Sequence, residues 1–202
     1  MMKNIVLCGI GGQGTVLASK LIAAAAMKKN IPVMSAETIG MAQRGGSVFS
    51  HLRLGETVDG KKKAPASPMI AKGSADIIIG FEPGETVRML PYLKKDGQVI
   101  TSAHAIMPVT AALTGGSYDG GGMLDYLSKK AGRLMVVDTD KACEALGSSK
   151  VMNVLLLGYA ARSGALGLDT EDIKEALKER LKESLWELNF RALEYGALTD
   201  NE

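Results

Sequence analysis

Cysteine is scarce in this chain of 202 residues: there are two, Cys8 and Cys143, and neither sits in a C-x-x-C pair. Two thiols cannot ligate a four-cysteine iron–sulfur cluster. They offer no disulfide framework either, which points to a reducing cytoplasm. Aromatic residues make up only 4% and the formal net charge is +2. The chain therefore has neither the stacking aromatics nor the basic excess of a general nucleic-acid binder. Long apolar runs are missing as well. The run near the N-terminus, Leu21 to Met27, follows Lys20 directly and falls far short of the roughly 20 residues of a membrane span. Glycines interrupt the opening stretch too early for a cleavable signal peptide. The two histidines, His51 and His104, are far apart and have no acidic cluster beside them, so no metal site is predicted.

What is present is the composition of a globular protein, 46% hydrophobic and 23% charged, which is enough to build a core. The length suits one domain over residues 1–202, with a helical C-terminal part at about 149–198. Asn4-Ile-Val-Leu-Cys8 is a short apolar run ending in glycines and reads as a buried parallel strand. A helix is predicted from about Gly12 to Lys29, with Asn30 as a left-handed cap and Ile31 to Met34 as the next strand. That unit opens a doubly wound sheet.

Further strands are predicted at Ser47–Leu54, Ala75–Gly80, Gly97–Thr101 and Arg133–Val137, and a helix begins at Glu82-Pro83. Lys61-Lys62-Lys63 reads as a solvated turn. Gly115 to Gly122, with five glycines in eight residues, reads as a mobile loop ahead of a helix at Met123–Lys130. After Ser149 an apolar helix runs through Val154 to Leu157, and Gly164 and Gly167 end it. Asp169 caps a helix with Ile173, Leu177 and Leu181 on its core face, and the tail continues helical to about Tyr195 with a break near Glu183. The predicted fold is α/β: a doubly wound, mostly parallel, Rossmann-like sheet with a helical C-terminal region.

Gly9-Ile10-Gly11-Gly12-Gln13-Gly14 is a G-x-G-x-x-G turn placed after a strand and ahead of a helix. In such a turn the first glycine permits the bend, the second lets a phosphate approach the backbone, and the third lets helix and strand pack closely. The helix N-terminus then offers free N–H groups to an anion. A tight turn without a ligand would use the same residues. Gln13 adds an amide that can bond a ligand or a neighbouring loop. A nicotinamide dehydrogenase needs an acidic residue at the end of the second strand. Here that strand ends Val33-Met34-Ser35-Ala36, and Glu37 follows late, which weighs against that class.

The segment Glu37-Thr38 to Gln43-Arg44-Gly45-Gly46-Ser47 lies after the second strand, at the carboxyl edge where ligands bind in open α/β sheets. A guanidinium at Arg44 can clamp a carboxylate or phosphate. An ordinary ion pair with Glu37 or Glu82 explains it equally well. Cys8 reads as a small buried hydrophobe, and Cys143, on a short helix, needs no role. His51 reads as a strand histidine with a local hydrogen bond, or as part of a subunit contact. His104 is assigned nothing.

Together these two loops resemble the gamma-type domain of 2-oxoacid:ferredoxin oxidoreductases. The resemblance continues in Ser50-His51-Leu52-Arg53, Ser67-Pro68, Ala75-Asp76, Glu82-Pro83 with Glu85, and Asn153-Val-Leu-Leu-Leu-Gly158. It therefore spans nearly the whole chain. Ile10 within the turn and the short length are most similar to the beta subunits of the indolepyruvate branch. The resemblance implies a small subunit that is inactive alone, with no catalytic residue and no cofactor of its own. Thiamine diphosphate and iron–sulfur clusters are expected on a larger partner subunit, coenzyme A as substrate, and ferredoxin as a further partner. Neither nucleic acid nor membrane is expected as a partner. The implied reaction is oxidative decarboxylation of an arylpyruvate to its acyl-CoA. The candidate coenzyme A-binding residues are Gly9, Gly11, Gly12, Gln13, Gly14, Glu37, Thr38, Gln43, Arg44, Gly45 and Gly46. The lysines at 61–63 offer a further contact for the coenzyme A 3′-phosphate or for acidic ferredoxin. A free-standing NAD-dependent dehydrogenase and a nucleotide-binding regulatory module stay open as alternatives.

Overall fold

The structure, a computed structural model, describes residues 2–38, 45–108, 112–113 and 115–199. Strand β1 (Lys3–Ile10) lies inside the main sheet and is buried on both faces. Its alternate residues serve two cores. Ile5 and Leu7 join one apolar cluster and Val6 and Cys8 the other, as the period of two along a strand requires. The glycine turn leads into α1 (Thr15–Lys28), then β2 (Val33–Glu37) and β3 (Ser47–Leu54). A small hairpin, β4 (Glu56–Val58) and β5 (Lys61–Lys63), precedes β6 (Ala75–Gly80), α2 (Pro83–Met89) and β7 (Leu93–Ser102). Then come α3 (Gly120–Lys130), β8 (Arg133–Val137), α4 (Thr139–Leu146), α5 (Met152–Arg162), α6 (Thr170–Arg180) and α7 (Trp186–Thr199).

The main sheet has the order β2-β3-β1-β6-β7-β8. β1, β6, β7 and β8 pair in parallel, and β3 runs antiparallel to both neighbours, β1 and β2. The predicted mostly parallel α/β sheet is therefore present, with one reversed strand inside it. The reversal follows from the connection. Residues 38–46 are too few for a parallel crossover, which takes about a dozen or more, but ample for an antiparallel return. Thr38 fastens that return: its hydroxyl donates to the Phe49 carbonyl at 2.8 Å and accepts the Phe49 N–H at 3.1 Å.

One face of the sheet is covered by α1, α4, α5, α6 and α7, which contribute Leu21, Leu146, Leu155, Ile173 and Leu193 to the larger cluster. The other carries α2, the 3-10 turn Leu90–Tyr92 and Ile70, with α3 packed on α2. The C-terminal helices sit as close as backbones can. A Cβ on Gly158 of α5 would lie 2.0 Å from the Leu193 carbonyl oxygen of α7, so only glycine fits that crossing.

Several boundaries move. α1 starts at Thr15 rather than Gly12, because Gly12 and Gly14 hold φ of 108° and 82°, outside the helical region. Asn30 has the expected left-handed φ, 58°. The Lys61–Lys63 run is a strand rather than a turn; the bend is at Asp59 and Gly60, both at positive φ. Gly120, Gly121 and Gly122, expected in a mobile loop, form the first turn of α3. Asp119 caps them, its carboxylate accepting the Gly122 N–H at 2.9 Å. The cap satisfies an end donor that glycine alone would leave open.

His51 has no exposed surface. Its Nδ1 accepts the Ile70 N–H at 3.1 Å, and its ring meets the Tyr92 ring edge-on at 4.9 Å. This is the local bond expected of a strand histidine. Burial holds its pKa below the ordinary 6.5, so the folded state refuses a proton that the unfolded chain accepts. As pH falls through the unfolded value near 6.5, stability is lost. Denaturant unfolding at pH 7.5 and 5.5 is expected to show that acid-side loss in the native chain. His51→Asn, whose side-chain oxygen can still accept from Ile70, is expected to lose less; an equal loss in both would remove His51 as its source.

Candidate functional site

The glycine turn closes on itself through Gln13. Its Oε1 accepts the Ile10 N–H at 2.7 Å and its Nε2 donates to the Phe81 carbonyl at 2.8 Å. The side chain thus ties the end of β1 to the end of β6. A Cβ on Gly9 would lie 2.7 Å from the Gln13 Oε1 and 2.8 Å from the Phe81 Cβ, so the first glycine is required by this close approach. The third glycine serves another neighbour than expected. A Cβ on Gly14 would lie 2.6 Å from Asn153 Nδ2, on α5; Gly14 gives clearance to a helix of the C-terminal region rather than to β1. Gly12 faces open space.

The second candidate loop meets the first. The Gly11 N–H donates to the Gly46 carbonyl at 2.8 Å, and the Gly45 N–H donates to the Gly11 carbonyl at 3.3 Å. Gly9 to Gly14, Glu37, Thr38, Gly45 and Gly46 therefore gather at the carboxyl edge of the sheet. The candidates Gln43 and Arg44 lie outside the described residues.

Beside the turn is a cleft of about 430 Å³ lined by Ile10, Gly12, Thr15, Lys20, Glu37 and Val48, among others. The N-terminus of α1 opens on it, and no side chain caps that end, so its first-turn N–H groups keep their hydrogen-bonding capacity for an anion. Thr15, at the first helical position, is only 3% exposed, and its hydroxyl has no hydrogen-bond partner. Glu37 corrects the sequence reading. Pairing with Ser50 extends β2 to Glu37, so an acidic residue does end the second strand. It stands one strand further from β1 than in a Rossmann sheet, because β3 lies between them.

A cluster at the start of α2 went unrecognised in the sequence. Glu82 is 2% exposed. It accepts the Glu85 N–H at 2.9 Å as helix cap, the Ile106 N–H at 3.4 Å, and the Tyr118 hydroxyl. Tyr118 in turn accepts the Gly84 N–H at 2.9 Å. Burial, reinforced by the Glu82 carboxylate, pushes the Tyr118 phenol above its ordinary pKa. Glu85 accepts the Ser47 hydroxyl at 2.5 Å and pairs with Arg88 at 3.5 Å. These residues line a cavity of about 350 Å³ together with Gly45 and Gly46. The available signal was two acids around a proline at a strand end; the tyrosine that docks on them was hidden among glycines.

On the far side of the turn, a third cavity of about 370 Å³ places His104, Lys150 and Asn153 beside Gly12 and Gly14. The His104 Nδ1 lies 2.8 Å from Asp140, a pairing that the sequence did not suggest. Cys143 lines this cavity too, and burial, then Asp140, raises its thiol pKa. Burial likewise raises Cys8, which lies wholly inside. Raised thiols are poor nucleophiles. Among the described residues no three His, Cys, Asp or Glu side chains are grouped to hold a metal, and no helix is long and apolar enough to cross a membrane.

The Gln13 bonds predict a stability role. Gln13→Ala removes both, at about 0.5–1.5 kcal/mol each, and is expected to lower unfolding stability by about 1–3 kcal/mol. Unchanged denaturant midpoints would show that the amide serves a ligand instead.

Comparison with known proteins follows the same outline. The family described as pyruvate ferredoxin/flavodoxin oxidoreductase matches residues 4–198. The indolepyruvate oxidoreductase subunit IorB of Thermococcus kodakarensis is 35% identical over 204 residues, covering 98% of this chain and 96% of that protein. The pyruvate/ketoisovalerate oxidoreductases common subunit gamma of the same organism is 30% identical over 196 residues, covering 96% and 94%. The crystal structure of pyruvate oxidoreductase subunit PORC from Thermotoga maritima superposes with a TM-score of 0.68 at 20% identity, covering 96% of this chain and 94% of that one; this likeness bears on the fold alone.

Proposed function

The chain belongs to the pyruvate ferredoxin/flavodoxin oxidoreductase family, and we propose that within it the chain is the small subunit of an enzyme that oxidises indolepyruvate or a related arylpyruvate. The observation that carries this reading is the full-length likeness to the indolepyruvate subunit, 35% identical, against 30% for the common gamma subunit of the same organism. In the proposed reaction the 2-oxoacid loses carbon dioxide, its acyl carbon joins the coenzyme A thiol, and the electron pair released passes to ferredoxin. Thiamine diphosphate and the iron–sulfur clusters belong to a larger partner subunit, which carries out the bond-breaking chemistry; the complex works in the cytoplasm. Two cysteines in the whole chain, both buried, are too few for a four-cysteine cluster.

The part proposed for this chain is to seat coenzyme A. Its diphosphate fits the uncapped end of α1 and the Gly11–Gly12 backbone, where aligned N–H dipoles favour negative charge. The unpartnered Thr15 hydroxyl supports a ligand there. Thr38, Gly45 and Gly46 complete the edge, with Glu37 at its outer end rather than on the coenzyme A phosphates, and Gln43 and Arg44, which precede Gly45 in the chain, are offered as further contacts. Gln13 acts by holding the turn. A free-standing NAD-dependent dehydrogenase gains from the position of Glu37 at the end of β2, but the family assignment favours the subunit.

Reconstitution tests the reading. The purified chain is expected to show no indolepyruvate oxidation. Adding the larger subunit is expected to give ferredoxin reduction that depends on coenzyme A. Turnover by the small chain alone, or a partner subunit equally active without it, would overturn the proposal.

A further inference from the structure

The cleft beside α1 contains three polar groups that have no partner among the described residues. Glu37 is half-buried at the end of β2 and, among the described residues, has neither a hydrogen-bonded nor an ionic partner. Lys20, on the same wall as the first turn of α1, is likewise unpaired. At the start of α1 the Thr15 hydroxyl, close beside Gly9, is enclosed and without a partner. At the other end of α1 the charges are paired: Lys28 meets Glu179 at 2.9 Å and Lys29, just past the helix, meets Asp172 at 2.8 Å. An enclosed hydroxyl left unbonded is rare in folded proteins and calls for an explanation. Here it coincides, among the described residues, with an uncapped helix end, an unpaired cation and an unpaired carboxylate in one cleft.

We infer that this cleft binds a nucleotide whose ribose carries a free 2′,3′-diol, and that such a nucleotide competes with coenzyme A for the glycine turn. The inference rests on the reading that the turn holds a nucleotide diphosphate, and it names a second ligand class and a form of regulation for the same site. The phosphates lie on the end of α1 with Lys20, where dipole and ammonium both favour negative charge. The sugar lies against Glu37. A carboxylate has two oxygens and only accepts hydrogen bonds, so it suits a pair of adjacent hydroxyl donors. Coenzyme A carries a phosphate on the ribose 3′ oxygen. That group removes one donor and sets like charge against Glu37; the same charge logic separates diol-bearing from phosphorylated riboses in dinucleotide sites, although here the carboxylate stands one strand further from β1. Ile10, Val16 and Val48 give the cleft apolar walls for the base and the sugar face, and about 430 Å³ falls within the 300–1,000 Å³ of small-molecule sites.

The test is calorimetric titration of the full chain with coenzyme A and with 3′-dephospho-coenzyme A, which differ only in that phosphate, and with ADP. Dephospho-coenzyme A is expected to bind about tenfold tighter than coenzyme A, the factor of one charge-assisted hydrogen bond. Glu37→Gln is expected to abolish that preference, while Lys20→Gln weakens both ligands alike. In the reconstituted enzyme ADP is expected to raise the KM for coenzyme A without lowering kcat. Equal or tighter binding of coenzyme A by the native chain, or a preference that survives Glu37→Gln, overturns the diol inference and leaves the phosphate-binding turn standing. If none of the three binds the chain, the turn is not a nucleotide site and the inference falls, while the subunit assignment still rests on reconstituted activity.

Discussion

Between β1 and β6 the chain's winding reverses: after β1 it proceeds to one side of the sheet, and from β6 onward to the other. Ligands of open α/β sheets bind outside such a point because the two following loops part there. In this protein the parting is bridged by the Gln13 amide, bonded at once to Ile10 and Phe81. The bridge leaves no room for a side chain at Gly9, and it fixes where α1 begins. α1 starts at Thr15, with Gly14 before it and no side chain over its end. The turn's own bonds position the open donors at that helix end. Preorganisation of this kind lowers the ordering cost of binding.

The reversed strand β3 widens what the turn can reach. Its insertion between β1 and β2 moves Glu37 one strand outward from the place an acidic residue takes in a Rossmann sheet. The cleft is therefore lined by the α1 end, by Val48 of β3 and by Glu37 of β2. The same strand brings Gly45 and Gly46 onto Gly11 and carries Ser47 to Glu85. One short antiparallel return thus lines both cavities, with Val48 in one and Ser47 in the other. On the far face, the buried Glu82 is satisfied partly by Tyr118, so the glycine-rich stretch before α3 is anchored to the same edge.

Sequence periodicity was enough for the parts whose burial has a simple pattern. β1 and β6 carry buried apolar runs, α6 repeats Ile173 and Leu177, and Asp169 caps it through a reciprocal pair with Asp172. The glycine turn, and its sharing of one sheet edge with Gly45–Gly46, was likewise legible because each loop follows a strand; the Gly11–Gly46 bonding between them was not. Strand direction was not. Ser47–Leu54 reads as a strand whichever way it runs, and only the length of the loop before it decides. Glu37 looked late because the sequence does not show which residues pair with β3. The Tyr118–Glu82 and His104–Asp140 contacts join residues 36 positions apart, and no local pattern encodes them. Gly14 was assigned to strand packing, since Asn153 lies 139 residues away and its approach is a tertiary fact.

If the turn is kept open for a phosphate, the hydroxyl that the fold leaves unbonded should matter to the ligand and not to the fold. Thr15→Val keeps the shape and deletes that hydroxyl. The direct measurement is the coenzyme A dependence of the reconstituted oxidoreductase carrying Thr15→Val, alongside the melting temperature of the variant chain. The structure predicts a KM for coenzyme A raised about tenfold, the loss of one charge-assisted bond, with melting temperature unchanged or higher because a buried unsatisfied group is gone. An unchanged KM would contradict the assignment of the glycine turn as the coenzyme A seat.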